Sequence, residues 1–125
     1  MRSTKLNPLL YVVVSAIALN SLALGPMGCA KTPKETRPIA ITMKKYNIDP
    51  AEIRVKQGET IEFHVSTLDV QHGFDVPALG IKESVQPSRP AVFTFTADKK
   101  GEFEIKCGIL CGAGHNRMRA KLVVE

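Results

Sequence analysis

The chain has 125 residues, enough for one domain, with 44% hydrophobic residues and no Trp. Its net charge is +5, and setting aside Arg2 and Lys5 near the N-terminus leaves +3. A balance this mild argues against nucleic acid as a partner, because such proteins cluster Lys and Arg on one face. The N-terminal segment reads as an export signal. Arg2 and Lys5 precede an apolar run over residues 9–19, and small residues follow, ending at Gly28-Cys29. The run suits a signal h-region better than a membrane span of about 20 residues, and Asn20, Gly25 and Pro26 interrupt any longer helix. Residues 1–28 are therefore expected to be a signal peptide or membrane anchor, residues 29–38 a polar linker, and residues 39–125 the folded domain. Cys29 resembles the lipidated cysteine of a bacterial lipoprotein. An uncleaved anchor and plain secretion are the other readings. All three place the domain outside the cytoplasm, in the periplasm or on the outer face of the membrane.

Past the linker, apolar residues alternate with polar ones at a period of two, the signature of half-buried strands. Ile39, Ile41 and Met43 form one set, Ile53 and Val55 another, and Ile61, Phe63 and Val65 a third. Phe93 and Phe95 follow, then Phe103 and Ile105 leading straight to Cys107, and Ala120, Leu122 and Val124 close the chain. Turn signals fall between the runs, at Asp49-Pro50, Gln57-Gly58, residues 87–90 and Lys99-Lys100-Gly101. The expected fold is all-β, an antiparallel Greek-key sandwich with no helix of any length after residue 30. His64 is out of phase with its neighbours and should face solvent. Met43 is in phase and should be core.

The chemistry concentrates in Cys107-Gly-Ile-Leu-Cys111-Gly-Ala-Gly-His115-Asn-Arg-Met118, with a second imidazole upstream in Asp69-Val-Gln-His72-Gly-Phe. Two cysteines at this spacing could form a disulfide or hold zinc. Zinc has no use for a thioether, however, and thiolate, thioether and imidazole together suit copper. His72, Cys111, His115 and Met118 would satisfy a mononuclear blue site and leave Cys107 spare. If both sulfurs bridge two metals, each copper takes one imidazole, Met118 caps one and a backbone carbonyl, at Ile109, caps the other. That arrangement uses every soft donor in the segment. Gly108, Gly112 and Gly114 allow the tight turns a metal-wrapping loop needs. Asp69 would either turn the chain or hydrogen-bond near His72.

From Ile39 to Glu125 the chain resembles the CuA domain of cytochrome c oxidase subunit II and of nitrous oxide reductase. The resemblance rests on His72…Cys107-x3-Cys111-x3-His115-x2-Met118, on Val76-Pro-Ala-Leu-Gly-Ile81 and on the C-terminal Leu122-Val-Val-Glu. It implies a cupredoxin domain with bridging thiolates Cys107 and Cys111, imidazoles His72 and His115, thioether Met118 and the Ile109 carbonyl. Two departures stand out. Ile109 occupies the position where subunit II usually has a Glu that helps bind magnesium at its contact with subunit I. The Trp-containing patch through which subunit II normally receives electrons has no Trp counterpart here.

The resulting expectation is an electron carrier and not an enzyme, since no substrate pocket or acid-base pair is evident. Its partners would be redox proteins, such as a c-type cytochrome and a terminal oxidase or reductase, with membrane attachment through the N-terminus. Pro77, Ala78, Leu79, Ile109, Leu110 and Ala113 form either an apolar docking rim or ordinary loop packing. Two rivals use the same residues: a copper carrier or assembly factor that hands metal on, and a metal-free binding module with a Cys107–Cys111 disulfide.

Overall fold

The structure is a computed structural model that describes residues 35–125. The expected signal or anchor and the lipidation site at Cys29 lie outside the described residues. Nine strands build two sheets: β1 (Thr36–Lys44), β2 (Asn47–Asp49), β3 (Glu52–Val55), β4 (Thr60–Thr67), β5 (His72–Val76), β6 (Ile81–Val85), β7 (Ala91–Thr96), β8 (Gly101–Lys106) and β9 (Arg119–Val124). The order is β2-β1-β4-β7 in one sheet and β3-β9-β8-β5-β6 in the other. Among the described residues, the helical pieces are two 3-10 turns, at Pro77–Leu79 and His115–Arg117. No helix there is long and apolar enough to cross a membrane.

The alternating runs do what their period requires. Ile41, Met43, Ile61, Phe63, Val65, Ile105 and Leu122 are all buried in one core shared by the sheets, each worth about 1.5–3 kcal/mol of burial. Phe63 of β4 lies 5.5 Å from Phe74 of β5 and 5.3 Å from Phe93, so aromatic rings join the two layers. Phe93 and Phe95 are only half-buried, because β7 is an edge strand. His64 is exposed and Met43 buried, as their phases require.

The sandwich is not wholly antiparallel. β1 pairs with β4 in parallel, Ile41 opposite Val65, and β3 pairs with β9 in parallel, Ile53 opposite Leu122. Parallel neighbours need a crossover of a dozen or more residues, and the segment holding β2 and β3 supplies one by leaving the first sheet for the second. Residues 36–38, at the end of the expected linker, already belong to β1 and pair with Thr60, Ile61 and Glu62.

One end of the sandwich carries the cysteines. β8 and β9 are antiparallel, with Lys106 opposite Arg119, and the Cys107 N–H donates to the Met118 carbonyl at 3.2 Å. That last rung closes the loop of residues 107–118. β5 lies beside β8, with Asp75 opposite Lys106, and the Gly108 N–H donates to the Gly73 carbonyl at 3.2 Å. This second contact sets His72 against the base of the loop.

Candidate metal centre

The structure brings together all six of the donors that the sequence singles out. Cys107 Sγ and Cys111 Sγ are 3.7 Å apart. A disulfide bond is about 2.05 Å, so both cysteines are free thiols, at 4% and 8% exposure. His72 Nδ1 lies 3.7 Å from Cys107 Sγ, and His115 Nδ1 lies 3.9 Å from Cys111 Sγ. Met118 Sδ, wholly buried, is 3.9 Å from Cys111 Sγ. The Ile109 carbonyl is 3.0 Å from Cys107 Sγ. His72, Cys107 and Cys111 alone offer three donor atoms within 4.8 Å of one another. The set divides into two halves, Cys107 with His72 and the Ile109 oxygen, and Cys111 with His115 and Met118. Apart from the Ile109 carbonyl oxygen, every donor is a thiolate, thioether or imidazole, which is the chemistry that fits copper.

Asp69 sets the orientation of His72. The His72 Nε2–H donates to Asp69 Oδ1 at 2.8 Å, which leaves the Nδ1 lone pair facing the sulfurs. The carboxylate also accepts the N–H groups of Lys45 and Val70, both at 2.6 Å, and the Thr67 hydroxyl at 3.2 Å. Burial alone would push the Asp69 carboxyl up. The four hydrogen bonds outweigh it and hold the group well below the usual carboxylate range. So Asp69 both turns the chain and fixes the imidazole. Burial raises the Cys111 thiol, and the neighbouring Cys107 raises it further. A metal entering here must therefore displace a proton.

A cleft of about 210 Å³ opens beside Cys107 and Met118, walled by Asp75, Lys106 and Arg119. Its charged lining is unlike the mostly apolar pocket that holds a small organic substrate. Of the expected rim, Leu110 is 82% exposed. Pro77, Ala78 and Ala113 are exposed as well, while Leu79 and Ile109 are half-buried.

A family model described as a cupredoxin-like domain matches residues 9–124. The chain belongs to the cupredoxin-like family. This cupredoxin is 35% identical over 80 residues to cytochrome c oxidase subunit 2 of Thermus thermophilus, the match covering 64% of this chain and 59% of that one. It is 33% identical over 107 residues to nitrous-oxide reductase of Cupriavidus necator, over 76% of this chain and 17% of that one. The periplasmic domain of subunit II of cytochrome oxidase of Bradyrhizobium japonicum superposes with a TM-score of 0.66 at 27% identity, covering 74% of this chain and 86% of that one. The chain thus spans less than two thirds of the length of the relatives it matches by sequence.

Three residues that shape this cupredoxin's site carry no sequence signal of their own. Tyr46, in the turn between β1 and β2, lies against Gly112 and Gly114. Asp75 packs on Gly108, where a Cβ would meet its carboxylate at 2.0 Å. Thr67 donates to both Asp69 and the Val70 carbonyl. Gly73 does have a readable signal: a glycine directly after a candidate donor, inside a strand, marks close backbone approach. A Cβ there would sit 2.8 Å from Gly108 N.

Proposed function

We propose that this chain is an exported electron carrier in which Cys107, Cys111, His72, His115, Met118 and the Ile109 carbonyl hold two copper ions as a CuA-like centre. The observation that carries the reading is the pair of free thiols 3.7 Å apart, each with its own imidazole nitrogen within 3.9 Å. Copper held there supplies reversible one-electron chemistry. The protein's part is to keep the donors still. Cys107 and Met118 are tied by the closing rung of the β8–β9 ladder, and His72 is held through Asp69. Donors fixed in this way move little when the charge at the site changes, which keeps reorganisation small. The thiol protons leave on loading.

The relatives named above are an oxidase subunit and a reductase, and a solved relative is a periplasmic domain. They support placing this carrier on the outer face of the membrane, between a c-type cytochrome and a terminal oxidase or reductase, with any catalysis on another chain. Residues 1–28 would direct export, Cys29 would take the lipid, and residues 29–38 would tether the domain. The Ile109 side chain has no carboxylate for a magnesium ion, which favours a carrier separate from a standard oxidase core. Exposed Leu110 and Ala113 would meet the partner through a small, short-lived contact.

Electron paramagnetic resonance of the oxidised, copper-loaded protein tests the reading. Hyperfine splitting from two equivalent nuclei, with two coppers per chain by metal analysis, is the expected result. One copper per chain, or a mass two hydrogens lighter after copper exposure, overturns it. Loss of metal during gel filtration in mild chelator would instead favour a delivery protein.

A further inference from the structure

The turn between β1 and β2 touches both halves of the donor cluster. On one side, the Lys45 N–H donates to Asp69 Oδ2 at 2.6 Å, and Oδ1 of the same carboxylate accepts from His72. On the other side, the half-buried ring of Tyr46 lies along the loop that carries Cys111 and His115. A Cβ added to Gly114 would fall 2.4 Å from Tyr46 Cγ and Cδ2, and one added to Gly112 would fall 2.5 Å from its hydroxyl oxygen. The ring therefore fills the space that side chains would need at both glycines.

These glycines need such support. Gly112 has φ +141, a conformation that residues with a Cβ rarely adopt, and glycines gain the most freedom when a loop loosens. Between Cys111 and His115 the chain has no strand partner. Its local bonds are those of a 3-10 turn, from His115 N–H to the Gly112 carbonyl at 3.1 Å and from Arg117 N–H to the Gly114 carbonyl at 3.0 Å. Such short turns have poor hydrogen-bond geometry. The ring bears on a stretch that the strand ladders do not hold.

We infer that Tyr46 is a positioning residue. Together with Lys45 and Asp69 it brackets the site, holding the Cys111–His115 arm at a fixed separation from His72. The inference rests on the copper reading for its purpose, but its geometry can be tested without metal. In the metal-free full chain, Tyr46→Ala should speed amide hydrogen exchange at His115 and Arg117 by about tenfold or more and leave the β8–β9 ladder unchanged. Tyr46→Phe, which keeps the ring, should match wild type. After copper loading, Tyr46→Ala should lose metal to chelator roughly tenfold faster, the low end of what supporting residues contribute, and its hyperfine pattern should change. Gly114→Ala should damage the site while Tyr46 is present and do less harm combined with Tyr46→Ala. If Tyr46→Ala does not fold, Tyr46→Leu is measured in the same way.

Wild-type exchange at His115 and Arg117 in the folded alanine or leucine variant overturns the bracket, even if two coppers are bound. Conversely, wild-type protein that binds one copper or none overturns the copper reading and leaves the exchange result standing.

Discussion

On the proposed two-copper reading each residue of the cluster takes a different part, and single substitutions separate them. Cys111 lies within 3.9 Å of three other donors, Cys107, His115 and Met118. Cys111→Ser should therefore abolish the two-copper spectrum altogether. Met118 has one sulfur neighbour, Cys111, and Met118→Leu conserves volume, costing under about 1.5 kcal/mol of stability. That variant should keep the shared hyperfine pattern and show a higher reduction potential by voltammetry, because the oxidised site loses a donor. Equal damage from the two would contradict these roles. Asp69→Asn should weaken copper retention by about 10–100-fold, measured by competition with a chelator, because the imidazole loses its carboxylate acceptor. That His72, Cys107, Cys111, His115 and Met118 would come together was legible in the sequence, because Cys, His and Met are rare in this chain and their combination is chemically restrictive. The role of Asp69 was only half legible. Its position three residues before His72 allowed the hydrogen bond, and Thr67 and Val70 are neighbours too, but the Lys45 N–H that completes the set comes from 24 residues away.

At the level of strands, the site depends on how closely β5 approaches the loop after β8. Gly73→Ala would drive a Cβ to 2.8–2.9 Å from the Gly108 and Ile109 nitrogens, atoms that cannot swing aside. The expected cost is about 1–3 kcal/mol in thermal or urea unfolding, together with loss of copper binding out of proportion to that cost. A variant with a lowered midpoint and an intact site would show that β5 can shift freely. Alternation identified β1, β3, β4, β7, β8 and β9 well, because each turns one face to the core. It gave no sign of β2, which is three residues long, or of β6, whose Ile81 and Val85 lie four apart with the charged Glu83 at the in-phase position between them. It also left the pairing open. Period two says which side chains face inward, whereas the parallel β1–β4 and β3–β9 ladders depend on where the chain changes sheets.

Across the described sandwich, the cysteines lie at one end and an ion pair ties the sheets together at the other. Arg37, near the start of β1, pairs with Glu59 and also donates to the Arg54 carbonyl of β3 at 3.1 Å, joining the two sheets. The Arg37 guanidinium, and then the Lys56 N–H, hold the Glu59 carboxyl below the usual range. A depressed folded value means stability that is fully present above the unfolded carboxyl's titration, near pH ~4.3, and is lost as pH falls through the folded value. Glu59→Gln should therefore destabilise by no more than about 1 kcal/mol at neutral pH, since Arg37 is half exposed. The gap between variant and wild type in urea midpoint should close as the pH drops below the carboxylate range. A gap unchanged in acid would remove the ion pair as its cause. None of this end was readable beforehand, because nothing in the local sequence around Arg37 points to a partner beyond residue 50.

The two imidazoles differ in how they meet the outside. His72 has no exposed surface, sealed behind the Asp69 turn, while His115 sits half-buried in the exposed segment that follows Leu110. Tunnelling falls off steeply with thickness of intervening protein, so for the proposed copper pair the His115 side would be the thinner wall. A small imidazole-modifying reagent should accordingly label His115 long before His72.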